Sequence, residues 1–132
     1  MKNQTKISVN ALLTSAANRS SLKRYQTGAV LLLDNQVVAL GWSHVGHRNL
    51  NAVFSVHAEL HALGRAKHID LSGAQCHTVT IRKTRTFAAI PCKVCAAALI
   101  KAGIQTVHTA GLEIDLLNSL KDLKLYSRPD AV

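Results

Sequence analysis

The order of apolar and polar positions divides the chain into short alternating elements. From about Ile7 to Arg24, Val9, Leu12, Leu13, Ala16 and Ala17 recur on one helical stripe, while Asn10, Asn18, Arg19 and Lys23 face away. That spacing predicts an amphipathic helix. The apolar run Gly28 to Leu33, the polar pair Asp34-Asn35 and the second run Val37 to Leu40 predict a β-hairpin with a short turn. Residues Ser43 to Ser55, with Gly46, two His and two Asn, read as a polar loop. Helical spacing returns from His57 to Lys67 through Leu60, Leu63 and Gly64, and Asp70, Ser72 and Gly73 mark a turn.

Val79 and Ile81 alternate with polar neighbours, which predicts a strand from about Cys76 to Arg82. A basic loop, Lys83 to Ile90, leads to Pro91, which is expected to open a helix because its missing N–H would be unpaired there anyway. That helix spans Cys92 to Ala102 and stops at Gly103. Ile104 to Thr109 reads as a strand and Leu112 to Lys121 as a helix. Leu123 to Tyr126 reads as a last short strand, and the tail after about residue 127 as loose.

The strand–helix–strand run from Cys76 to Thr109 has the length of a parallel βαβ unit with a right-handed crossover. The expected fold class is therefore α/β. It is a three-layer α/β/α sandwich whose mixed five-stranded sheet joins an N-terminal hairpin to a parallel βαβ unit. No repeat or linker divides the sequence, and 132 residues suit a single domain over 1–132.

Composition narrows the setting. With 48% apolar residues the chain can build a core without disulfides. Its three Cys are an odd count, and Cys92 and Cys95 sit three apart, which argues against a secreted disulfide framework. The first residues are polar and no apolar stretch approaches membrane-spanning length. The expectation is a cytoplasmic protein with no membrane partner. The formal charge of +9 favours a phosphate-bearing partner, either a small nucleotide or nucleic acid.

The chemistry sits in two short segments, His57-Ala58-Glu59 and Pro91-Cys92-Lys93-Val94-Cys95. Cys92 and Cys95, at i and i+3, point the same way from the first turn of a helix whose positive end lowers thiol pKa values. His57, also at a helix start, adds an imidazole. Two thiolates and one imidazole make three ligands of a tetrahedral Zn2+ site and leave a fourth place for water, which marks a catalytic site. Glu59, near the metal but not bound to it, can take a proton from that water and hand it on. The order is not H-E-x-x-H, which excludes a metalloprotease of that class.

The H-x-E…P-C-x-x-C arrangement is a signature of zinc deaminases. Over about residues 27 to 110 the chain resembles the cytidine/deoxycytidylate deaminase superfamily. Thr27-Gly28-Ala29-Val30, Gly41-Trp42, His57-Ala58-Glu59, Pro91 to Cys95 and Ala102-Gly103-Ile104 all stand in the order and spacing of that family. A His as first ligand is similar to the deoxycytidylate and tRNA-editing branch.

The resemblance implies hydrolytic deamination of cytosine to uracil, with zinc-activated water attacking C4 and Glu59 as proton shuttle. It makes His57, Cys92 and Cys95 the ligands. It puts the Ala58 N–H on the base carbonyl and the chain around Ile90 and Pro91 on the amine. It also implies self-association into a homo-oligomer. Ser43 departs from the pattern, since relatives carry Asn there to orient the sugar; Asn49 or Asn51 of the same loop could replace it. Trp42, Phe54 and Phe87 flank the motifs as candidate pocket walls, and Arg82, Lys83 and Arg85 as candidate phosphate contacts.

Four readings stay open. The first is a cytosine nucleotide or nucleoside as substrate. The second is a polynucleotide, either cytosine in a single strand or adenosine in tRNA. The third is a non-catalytic zinc module that binds nucleic acid, with His108, His61 or Cys76 as a fourth ligand of a structural zinc. The fourth is a catalytically dead family member that acts as an assembly partner.

Overall fold

The computed structural model describes residues 2–22, 24–47 and 53–118. In chain order these form α1 (Lys2–Asn18), β1 (Gln26–Leu33), β2 (Gln36–Trp42), β3 (His44–His47), β4 (Val53–Val56) and α2 (Ala58–Arg65). They continue with β5 (Gln75–Arg82), β6 (Arg85–Phe87), α3 (Lys93–Lys101), β7 (Thr106–Thr109) and β8 (Leu112–Asp115).

The main sheet runs β2-β1-β5-β7-β8, with β6 added beside β5. β1 pairs antiparallel with both β2 and β5, whereas β5 and β7, joined through α3, are parallel. The mixed α/β architecture and the βαβ unit are those the sequence implies. The described sheet has six strands where five are expected.

β1 shows why its sequence is an unbroken apolar run. Ala29 and Leu31 pack with Ala58, Ala62, Ala96 and Leu99 of α2 and α3, while Val30 and Leu32 pack with Val9, Leu13 and Ala17 of α1. A strand covered on both faces has no solvent side on which to place polar residues.

Four elements differ from the expectation. Part of the polar loop is a hairpin, with His44 opposite Val56 and His47 opposite Val53; its period of two is interrupted by Gly46. The basic loop contains β6, reached through a two-residue turn at Lys83 and Thr84, both left-handed with φ of 49° and 65°. Neither residue carries the Gly, Asn or Asp signal of such a turn. Pro91 lies outside α3, because Cys92 is the N-cap and Lys93 the first helical residue. Finally, Leu112–Asp115 is strand β8. Ala110 and Gly111, with φ of 47° and 80°, fold the chain back onto β7 before the leucine spacing can act, and Leu116 then plugs the core. Asn49, Asn51, the end of the expected last helix, the strand at 123–126 and the tail lie outside the described residues.

Gly41 is where α2 meets the sheet. A Cβ there would stand 2.2 Å from the Ala58 carbonyl oxygen and 2.4 Å from the Ala62 nitrogen, both backbone atoms that cannot rotate aside. Gly41→Ala should therefore destabilise the protein by about 3 kcal/mol or more. Gly64→Ala, on the same helix with open space around it, should be neutral or stabilising by about 0.5–1 kcal/mol. Thermal unfolding of the two variants checks both values.

Candidate active site

Two helix N-termini meet at the site. His57 is the N-cap of α2, in extended conformation, and its side chain makes no cap hydrogen bond. The imidazole is therefore free to reach across to α3. There Cys92 is itself the N-cap, its sulfur accepting from the N–H of Cys95 at 3.5 Å. His57 Nδ1 lies 3.2 Å from Cys95 Sγ and 3.5 Å from Cys92 Sγ. These three donors are the one His/Cys/Asp/Glu group of metal-binding geometry among the described residues, and all lie within 4.8 Å of one another.

Proximity shifts the titrations. The Cys92 thiol is lowered to about 4, foremost by its hydrogen bond with Cys95 and then by His57. Cys95 moves the other way, because it holds the proton of the pair and is buried. The bond to Cys92 raises His57. Glu59, next after Ala58 in the first turn of α2, is only 5% exposed, and burial pushes its carboxyl above the usual range.

His57, Glu59 and Cys92 line a cavity of about 580 Å³, together with Ala58, Ser43, Thr27, Thr80 and Ala88 to Ile90. Leu22, Tyr25, Arg82 and Phe87 complete its wall. The floor is buried and the mouth is open: Tyr25, Phe87 and Ile90 are 50%, 47% and 59% exposed.

The structure sorts the other sequence candidates. Ala58 and Ile90 face the cavity. Pro91 is fully buried and does not line it. Trp42 does not line it either; its ring packs edge-on against His61 at 4.5 Å, with the guanidinium groups of Arg19 and Arg65 at 5.2 and 5.3 Å. Ser43 borders the cavity, but its hydroxyl is committed: it accepts from the Thr27 N–H at 3.0 Å and bonds Ser20 Oγ at 2.8 Å. Asn51 and the side chain of Phe54 lie outside the described residues.

The three candidates for a fourth metal ligand are placed elsewhere. His61 Nδ1 accepts from the Trp42 N–H at 3.1 Å, and His108 stacks on His77 beside α1, across the sheet. Cys76 is buried in the core and stands outside the donor group.

Two threonines that the sequence reading passed over fix the segment before α3. Thr78 donates to the Ala89 carbonyl at 2.8 Å, and Thr109 accepts from the Ala89 N–H at 2.6 Å. Both are fully buried, and polar residues on the covered face of an apolar strand were the available signal.

This fold is shared with a dCMP deaminase and with cytidine deaminases. The dCMP deaminase of cyanophage S-TIM5, solved with dCMP and dUMP, superposes with a TM-score of 0.65 at 19% identity, covering 93% of this chain and 94% of that one. The cytidine deaminase of Burkholderia pseudomallei gives 0.61 at 17% identity, covering 96% and 98%. No sequence match is found among curated proteins. The model of the MafB19-like deaminase family matches residues 3–128, and the chain belongs to that family.

Proposed function

We propose that this protein is a zinc-dependent hydrolase that converts the cytosine base of a nucleotide or nucleoside to uracil, releasing ammonia. One observation carries the reading. His57, Cys92 and Cys95 converge, while Glu59 borders the same cavity outside the donor group.

The donor set fits zinc. Two sulfurs and one imidazole nitrogen around a tetrahedral Zn2+ stand about 3.6 Å apart, N to S, given usual bond lengths. The separations here are 3.2 and 3.5 Å. Among the described residues no fourth His, Cys, Asp or Glu joins the group. This supports an exchangeable position over a closed structural site. When bound there, zinc supplies a water whose pKa falls to near 7.

The chain's own groups account for the rest. Glu59 can accept one proton of the attacking water and pass it to N3, then carry the second, from the new C4 hydroxyl, to the amine, which leaves as ammonia. Its buried setting favours the protonated form needed for the return step. The Ala58 N–H belongs to the first turn of α2, where backbone donors lack helical partners, and so suits the base carbonyl. The chain around Ile90 and Pro91, anchored next door by the bonds of Thr78 and Thr109 to the Ala89 backbone, suits the amine.

The test is ammonia release by zinc-loaded protein from cytidine, CMP, dCMP, adenosine, guanine, tRNA and single-stranded DNA. Release from cytosine compounds alone is the expected result. Release from adenosine or guanine alone would replace cytosine as the target, and none from any would favour a zinc module without turnover. A second reading, cytosine carried within a strand, is favoured by the basic and aromatic mouth of the cavity.

A further inference from the structure

The β5–β6 hairpin forms one side of that mouth. Its register sets Thr80 opposite Phe87 and Arg82 opposite Arg85. Side chains alternate along a strand, so all four project from the same face, the one on which Thr80, Arg82 and Phe87 border the cavity. Arg82 is held in place there. It donates to the Tyr25 hydroxyl at 3.2 Å, with its guanidinium carbon 5.0 Å from the centre of the Tyr25 ring.

Three features of this hairpin do nothing for the core. Residues 85–87 are all exposed. The turn at Lys83 and Thr84 holds a β-branched residue in the left-handed region, which is sterically unfavourable. Arg82 and Arg85 are like charges directly across a strand pair, an arrangement that destabilises a sheet. A phosphodiester between the two guanidinium groups would reverse that repulsion. In a chain with 4% aromatic residues, two half-exposed rings, Tyr25 and Phe87, stand at this one mouth.

We infer that Arg82, Arg85, Tyr25 and Phe87 form a subsite for the phosphate and base adjoining the target cytosine, so that the substrate is a single-stranded polynucleotide. The inference rests on the deaminase reading for the target base, and in place of the free nucleotide or nucleoside it takes the strand-borne cytosine of the second reading. A small-molecule site buries most of its ligand behind converging donors. This mouth instead offers open rings and guanidinium groups, which is how strands are held, by stacking and backbone charge. A single strand is favoured over a duplex, because a duplex base would have to leave the stack, at a cost in stacking and pairing, to reach the buried Glu59. The overall charge of +9 adds long-range attraction for such a polyanion.

The test separates binding from turnover. The zinc-loaded Glu59→Gln protein is titrated into fluorescently labelled single strands with one central cytosine, one set DNA and one set RNA, at several salt concentrations. Anisotropy should report binding that weakens steeply with salt. Adding Phe87→Ala should weaken it roughly ten- to a hundredfold, while Phe87→Trp restores it. Adding Arg82→Ala and Arg85→Ala should weaken it further and flatten the salt slope.

In the active protein, kcat/KM for the preferred strand should exceed that for dCMP at least a hundredfold, and that ratio should fall at least tenfold in Phe87→Ala. Circular dichroism confirms that each variant is folded. Strand binding indifferent to the three substitutions, or dCMP turned over as well as the strand, would overturn the inference. Strand binding that depends on these residues but with no ammonia released would uphold the subsite and refute the deaminase reading instead.

Discussion

Replacing Glu59 by Gln should lower ammonia release by about three orders of magnitude while fold and metal content stay intact. Gln has the same shape, so the packing around a side chain that is 5% exposed is preserved. Glu59 also lies outside the converging His57, Cys92 and Cys95 donors, so metal binding has no cause to change. An amide cannot take a proton from water and pass it to the ring, and only that ability is lost.

The same substitution has a stability signature of definite sign. Burial raises the Glu59 carboxyl pKa in the folded protein above its unfolded value. The folded state therefore binds more protons in that window, and wild-type stability falls as pH rises from the carboxylate range through the raised pKa. The amide of the Glu59→Gln variant does not titrate and has no such dependence. In metal-free protein the variant's Tm should match wild type in acid and exceed it increasingly towards neutral pH. Equal Tm differences at all pH values would mean that the carboxyl is not held in a desolvated site. Activity retained above a few per cent would remove Glu59 from the reaction.

Much of the site was legible because its chemistry is local. His57 and Glu59 are two apart, Cys92 and Cys95 three apart, and each pair rides on one helix start; that the two starts meet was what the family resemblance implied. Gly103, with φ of 99°, ended α3 where a glycine should. The misjudged regions were those decided by distant partners. Leu112–Asp115 carries helical leucine spacing downstream, but its pairing with β7 across a tight turn makes it a strand. β6 exists because β5 offers it an edge, and three exposed residues hold no apolar pattern to read. Trp42 follows Gly41 in the motif, yet the helix that Gly41 admits brings His61 and Arg65 to the indole, which does not line the cavity. The hydroxyl of Ser43 likewise went to fastening Ser20 and Thr27, a bond between segments far apart in sequence.

Cys95→Ala should abolish both turnover and metal retention, and it should make the protein indifferent to chelators. Cys95 is fully buried at the third helical position of α3, 3.2 Å from His57 Nδ1, so it joins the two helix starts through whatever ion they share. Removing one of two thiolates leaves two donors, which hold zinc too weakly to survive dialysis. A ligand that binds only the folded state stabilises it by about 4 kcal/mol at a thousand times its Kd.

Wild-type protein should therefore melt well below its normal Tm once chelated, whereas Cys95→Ala should melt low with or without chelator. Cys76→Ala is the control that separates metal loss from core damage. Cys76 is equally buried and packs in the same cluster, but it is not part of the donor group. Its truncation should lower Tm through lost packing alone, by about 1 kcal/mol, and leave one zinc per chain and full sensitivity to chelation. If instead the two alanine variants lose metal alike, or chelation leaves wild-type melting unmoved, the sulfurs of Cys92 and Cys95 are packing groups and the ion has no place between the helices.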